Sequence, residues 1–166
     1  MTGIDNRLEQ KIGFDRIRRI ISDKCSTTYA AGRTATETFS AKPSQIRKRL
    51  LLTDEMRLIM MFEDGFPSSG FIDCIDFLKP LENSSSAIDI ISLRKLKTML
   101  DTLRRVTAFF EDVKDGVYPN LKRMSASILG FPAIQHKIEG IIDRYGEVKD
   151  TASDALYEIR KSLREK

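Results

Sequence analysis

Tryptophan is absent from this 166-residue chain, histidine occurs once (His136) and cysteine twice (Cys25, Cys74). Two cysteines exclude a disulfide scaffold, and no CxxC or HxxxH pair supplies the ligand spacing of a zinc site. The same usage fits a reducing cytosol. No run approaches about 18 consecutive apolar residues, so no membrane span and no membrane partner are expected. Residues 1–6 lack a charged region followed by an apolar stretch, so no secretory leader is expected either. The nine glycines are scattered. Neither GxGxxG nor GxxxxGK followed by Ser or Thr occurs, which leaves no phosphate-cradling loop. Internal repeats and low-complexity tracts are also missing.

Hydrophobic residues make up 41% of the chain, enough for a single-domain core. Charge is abundant and nearly balanced, with 28 Lys and Arg against 24 Asp and Glu, a formal +4. That excess permits contact with nucleic acid without demanding it.

The apolar spacing is helical. Phe14, Ile17, Ile20 and Ile21 form one stripe, and Ser26 to Thr28 offer capping hydroxyls for a second helix bearing Ala31, Ala35 and Phe39. Pro43 closes that segment, and Ser44 is expected to cap a longer helix with Ile46, Leu50, Met56, Ile59 and Met60 toward its buried side. Gly65 would end it in the left-handed conformation. Phe66 to Gly70 and Asn83 to Ser86 read as loops around a shorter helical piece, Ile75 to Leu81, limited by Pro80. Ser92 is expected to cap the most regular helix, with Leu93, Leu96, Leu100, Leu103, Thr107 and Phe110 on one side and a break at Asp115-Gly116. Helices should follow Pro119 and Pro132, the second carrying Ile134, Ile138, Ile141 and Ile142. Tyr145 to Asp150 is expected to be extended. Ser153 then caps a final helix with Leu156, Ile159 and Leu163 on one face. This helix reaches Arg164-Glu165-Lys166 without a stop signal, so the chain is expected to be a piece of a longer protein.

Local chemistry is sparse. His136 has no nucleophile or orienting carboxylate marked beside it and reads as a surface residue. Cys25 and Cys74 sit next to apolar positions and read as small core or boundary residues. The pairs Asp73/Asp76, Asp112/Asp115 and Asp150/Asp154 have the spacing of ordinary solvated helix ends. Met56, Met60 and Met61 beside Phe62 suit core or partner-helix packing. Basic clusters at Arg47–Arg49, Arg94, Lys95 and Lys97, Arg104 and Arg105, Lys122 and Arg123, and Arg160 and Lys161 are suited to phosphates. They lack interleaved aromatics, and three consecutive helical residues do not share a face.

The most specific stretch runs from Ile138 to Arg164. Within it Ile142-Asp143, Gly146-Glu147-Val148-Lys149-Asp150, Ala152-Ser153, Leu156 and Ile159-Arg160 form the string I-D-x-x-G-E-V-K-D-x-A-S-x-x-L-x-x-I-R. It resembles the start of the lever region in the second bacterial MutS paralogue family, MutS-two. Leu8 to Ile21, with Ile12-Gly13-Phe14-Asp15 and Ile17, is similar to that family's opening element. Lys42-Pro43-Ser44 through Thr53-Asp54-Glu55 and the loop Phe66 to Asp73 are similar to later ones. The serine loop at Asn83 to Asp89 departs from the family's tight glycine turn.

The resemblance implies an all-α, irregular multi-helix bundle, with a short extended segment near residues 145–150 and a final lever-type helix. Residues 1–144 would be a helical core segment, and residues 145–166 a connector and the start of the lever. It implies a non-catalytic piece of a homodimeric, DNA-binding ATPase that suppresses recombination and acts in rescue of stalled ribosomes. The parent would carry an endonuclease (Smr) domain. ATP and Mg would bind there, and no cofactor, metal or catalytic residue falls within these 166 residues. The implied partners are the clamp, ATPase and Smr regions of the parent, a second parent subunit, and branched DNA or the ribosome. Nucleic-acid contact candidates are Arg94, Lys95, Lys97, Arg104, Arg105, Arg160, Lys161 and Arg164. A free-standing helical module that binds nucleic acid or another protein is the competing reading.

Overall fold

The structure is a computed structural model that describes residues 6–38, 40–83 and 86–165. The expectations placed on Phe39, on Ser84 and Ser85, on Lys166 and on the first five residues lie outside it. Among the described residues the chain is all-α: nine α-helices, two short 3₁₀ turns and no strand. The helices are α1 (Asn6–Lys11), α2 (Phe14–Ser22), α3 (Thr28–Ala35), α4 (Pro43–Phe62), α5 (Ile75–Leu78), α6 (Ile90–Asp112), α7 (Pro119–Ser125), α8 (Pro132–Ile141) and α9 (Asp154–Arg164). None of them is long and apolar enough to cross a membrane.

Helix α6 is the spine. Its 23 residues span about 34 Å at 1.5 Å per residue, and its apolar stripe serves two separate cores. Toward the C-terminal end, Val106 and Phe110 pack with Ile59 of α4 and Leu121 of α7. Phe66, Phe109 and Phe110 close this core edge to face, with ring centroids 5.2 to 6.2 Å apart. Toward the N-terminal end, Leu93 and Leu100 pack with Ile138 of α8 and with Ile142 just beyond it. Between the cores, buried Thr102 bonds the Gly70 carbonyl at 3.1 Å and so draws the loop before α5 onto the spine. Gly70 has φ +88°, and a Cβ there would run into the Thr102 hydroxyl.

The first core depends on a buried carboxylate. Glu55 of α4 accepts from the backbone N–H groups of Asn120 (3.1 Å) and Leu121 (2.8 Å) and from the Asn120 side-chain amide (2.6 Å). These N–H groups belong to the first turn of α7, where helical backbone donors have no partner of their own. One anion therefore satisfies the turn and holds α7 against α4.

Several helix boundaries differ from the sequence expectation; α6 stops at Asp112, before the expected break at Asp115-Gly116, and Ile142 lies just beyond α8. Pro43 does not close a segment; it is the first residue of α4, where its fixed φ suits the first turn and its missing N–H costs nothing, and Ser44 lies inside. The helix ends at Glu63 in an extended conformation (φ −116°) rather than at a left-handed Gly65. Asp89, not Ser92, caps α6: it accepts the Ile91 and Ser92 N–H groups, each at 2.9 Å, while the buried Ser92 hydroxyl donates to its other oxygen. Capping by Asp89 starts the helix one turn earlier, so that Ser92 lies inside it and its own N–H is one of the donors satisfied. The burial expected on α4 also holds for only part of the set. Ile59 and Met56 face the core, whereas Ile46, Leu50, Met60, Met61 and Phe62 are exposed.

Helices α1 to α3 pack on one another. Arg18 joins α2 to α1 by an ion pair to Glu9 at 2.6 Å and lies over the Phe14 ring. Asp73 ties this cluster to the remainder, accepting from the Thr28 hydroxyl (2.6 Å) and the Thr28 N–H (2.5 Å) at the start of α3.

Glu55→Ala should leave two N–H groups of α7 unpartnered in the core, at a cost of about 1–3 kcal/mol. Thermal melts should show a fall in Tm of several degrees. Glu55→Gln, which keeps an acceptor, should lose less.

Candidate functional site: the connector between α8 and α9

The lever-like string folds into a compact joint in which nearly every specified residue has a structural task. Ile142 and Val148 form an isolated antiparallel bridge, so the chain doubles back instead of running extended from Tyr145 to Asp150. The reversal is made at residues 143–146. Asp143 accepts the N–H groups of Tyr145 (2.8 Å) and Glu147 (2.9 Å) across the turn. Gly146 takes the left-handed conformation, φ +82°, that a two-way reversal of this length needs. A 3₁₀ turn, Asp150–Ala152, follows the bridge, and only then does α9 begin.

Charged side chains pin this joint from three directions. Arg94 of α6 donates through Nε to the Gly146 carbonyl and through Nη2 to Glu147 at 2.9 Å. Its stem lies where a Gly146 Cβ would be, 3.0 Å from the nearest atoms. Lys149 donates to the Glu139 carbonyl at 2.6 Å in the last turn of α8, a favourable place for a cation at a helix C-terminus. Asp150 accepts from both Arg160 and Arg164 of α9, each at 2.5 Å, and Arg160 also donates to the Val148 carbonyl at 2.9 Å. Ser153 caps α9 by accepting the Leu156 N–H at 3.2 Å, as its position implied. The direction in which α9 leaves is thus set by one carboxylate, one cap and two arginines.

Electrostatics agree with the geometry. The Arg160 guanidinium, followed by that of Arg164, holds the Asp150 carboxyl below the usual carboxylate range. The Glu147 backbone N–H does the same for Asp143. Donors around the caps act likewise on Asp89 (foremost the Ser92 N–H) and on Asp73 (foremost the Thr28 hydroxyl).

Of the eight basic residues singled out from the sequence, four hold intramolecular ion pairs. Arg94, Arg160 and Arg164 belong to the joint, and Lys97 pairs with Asp101 one turn on at 3.0 Å. Lys95, Arg104, Arg105 and Lys161 have no ion pair among the described residues and are exposed. Lys95 and Arg104 lie nine residues apart on α6, about 180° around the helix, so these cations do not share one face. His136 is exposed. Burial pushes the Cys74 thiol up, away from a reactive thiolate. Asp73 and Asp150 are committed to Thr28 and to the two arginines. Among the described residues no three His, Cys, Asp or Glu stand close enough to hold a metal. Two partnerships escaped the sequence reading. Arg94 is 52 residues from Gly146, with no periodic signal linking them, and Asp150 has the spacing of a helix-end pair with Asp154. Its spacing to Arg160 and Arg164, a basic i, i+4 pair on the next helix, was the available clue.

The described residues thus form an all-α fold with one closely pinned joint. No family model matches it. Among curated proteins it is similar to the proteins named Endonuclease MutS2 of Thermomicrobium roseum (26% identity over 165 residues, 96% of this chain) and Alkaliphilus oremlandii (26% over 164 residues, 98%). It is also 27% identical over 164 residues, 97% of its length, to Endonuclease MutS2 of Listeria monocytogenes serotype 4a. The similarity to these MutS2 proteins runs along nearly all of the chain, which spans about a fifth of their length (20–21%).

Gly146→Ala should cost about 1–2 kcal/mol from the left-handed backbone alone. Removing the neighbouring stem with Arg94→Ala should relieve the crowding but not that backbone cost, which a double-mutant cycle on Tm would resolve. The four lowered carboxyls also contribute to the response to acid. Their folded values lie below the ordinary value of 3.8. Their contribution is therefore complete above that value and is lost as pH falls through the folded values. Tm should be flat at neutral pH and fall below about pH 4, and Asp150→Asn should remove part of that fall.

Proposed function

We propose that this chain is a non-catalytic core-and-lever segment of a MutS2-type protein. In this reading residues 1–144 are the helical core and residues 145–166 the connector and the first part of a lever helix. The observation that carries it is the joint itself: Arg94 grips the Gly146 turn, and Asp150 grips α9, so movement of α6 is passed to α9 as rotation of a rigid arm. The similarity to MutS2 proteins along nearly all of the chain supports it independently.

The parent protein would supply the rest. ATP and Mg would bind in its ATPase region, the lever would lead to a clamp, and a second subunit would complete the enclosure of branched DNA or contact with the ribosome. Within this chain the proposed task is mechanical, coupling nucleotide state to the clamp.

Arg104 and Arg105 favour a second reading, direct nucleic-acid binding, since both are exposed and carry no ion pair among the described residues. The purified chain should hydrolyse no ATP and cleave no DNA, and activity that survives stringent purification would sink the proposal. Binding to branched DNA or ribosomal RNA that weakens steeply with salt would favour the second reading, whereas a lever segment should bind neither appreciably.

A further inference from the structure

Two glycine turns far apart in the sequence press on one side of α6. Gly70 (φ +88°) lies against Thr102 and Thr98, and Gly146 (φ +82°) lies against Arg94. Arg94, Thr98 and Thr102 are four residues apart, so the two contacts lie about 12 Å from each other along the helix. Each turn carries a loosely held end of the chain. The Gly70 turn leads into Asp73, which accepts the Thr28 N–H (2.5 Å), the Thr28 hydroxyl (2.6 Å) and the Tyr29 N–H (3.2 Å) at the start of α3. Among the described residues α1 to α3 bury no hydrophobic side chain, so this carboxylate and the exposed Arg49–Glu37 ion pair supply their directional attachment. The Gly146 turn leads into α9, which also buries none.

A chain of hydrogen bonds joins the two contacts. The Thr102 hydroxyl reaches the Thr98 carbonyl at 2.9 Å, the Thr98 hydroxyl donates to the Arg94 carbonyl at 3.1 Å, and the Arg94 side chain donates to the Gly146 carbonyl. Thr102 is the member with a choice. Its hydroxyl has one proton and two carbonyl acceptors within reach, Gly70 at 3.1 Å and Thr98 at 2.9 Å, and it is buried, so the proton is divided between them. Given to Gly70, the proton holds the loop on α6. Given to Thr98, it strengthens a bond back onto the helix, of the kind that bends helices. Arg94 lies one turn before Thr98, so a change of bend here shifts the stem that packs on Gly146.

We propose that docking of α1 to α3 is coupled to the joint before α9, with the Thr102 hydroxyl as the two-position element between them. While Asp73 holds α3, the loop at Gly70 rests on α6 and Thr102 donates to Gly70. When α3 is released the loop lifts and Thr102 donates to Thr98. The hold of Arg94 on the Gly146 turn then loosens, although the joint stays formed. The coupling rests on the lever reading for its purpose and adds the point at which motion enters α6. It lies within one chain and is measured without nucleotide or nucleic acid, so its failure leaves the lever reading to its own test.

Amide hydrogen exchange of the whole chain, resolved by NMR, tests it. The reporters are Asp143 and Lys149, whose N–H groups donate to the Glu147 and Ile141 carbonyls across the joint, and Lys122 in α7 as a distant control. Asp73→Ala should expose the Thr28 and Tyr29 amides directly. It should also speed exchange at Asp143 and Lys149 about fivefold, the lower end of energetic coupling between sites, and leave Lys122 unchanged. Because coupling is reciprocal, Arg94→Ala should speed exchange at Tyr29 by a similar factor. Thr102→Val keeps the side-chain shape without the donor, and in that background Asp73→Ala should no longer reach the joint. Thr102→Ser, which keeps the hydroxyl, should preserve the effect, and circular dichroism would verify the folding of each variant. Unchanged exchange at Asp143 and Lys149 in Asp73→Ala would overturn the proposal. So would a response that persists in Thr102→Val, or one matched by an equal rise at Lys122.

Discussion

The constraint on which this structure depends is that one helix has to serve two cores. Helix α6 gives Val106 and Phe110 to a core with α4 and α7, and Leu93 and Leu100 to another with α8 and the start of the connector. Burial of these side chains contributes on the order of 1.5–3 kcal/mol each, and none of it is available unless α6 is formed along its whole length. Its first turn is secured by Asp89 and its middle by the Thr102 contact to the loop at Gly70. The joint before α9 is tied to this spine through Arg94.

Buried or bridging carboxylates do much of the assembly. Glu55 satisfies the start of α7, Asp73 the start of α3, Asp89 the start of α6, and Asp150 gathers the arginines of α9. In three of the four the acceptor meets helix N-terminal N–H groups, where unpaired donors and the positive end of the helix dipole favour an anion. Among the described residues few large side chains are buried. Directional contacts of this kind supply orientation that a small core does not.

The sequence made the helices legible and their seams less so. Periodicity located α2, α4, α6, α8 and α9, since each has an apolar stripe of helical spacing, and Pro119 and Pro132 marked the starts of α7 and α8. It misjudged the starts of α4 and α6: α4 begins at Pro43 with no side-chain cap, and Asp89 caps α6 where a serine hydroxyl was expected. Burial on α4 was overestimated because Ile46, Leu50 and Met60 fit a helical period as well as Ile59 does, and spacing alone does not say which side meets the core. The joint was recognisable as a motif before it was intelligible as a structure. Asp143, Gly146 and Ser153 act locally, so their roles follow from turn and cap chemistry. Arg94 acts across 52 residues, and no local rule reaches that far.

The uneven distribution of apolar burial divides the chain into units of different persistence. Both cores share α6, so loss of either removes support from the other, and helices α4, α6, α7 and α8 should open together as one cooperative block in amide exchange. Helices α1 to α3 contain no buried hydrophobic side chain and are tied to that block by the Asp73 carboxylate. They form a separate unit that opens earlier, and proteolysis would trim the chain from that end while the spine and its joint stay intact.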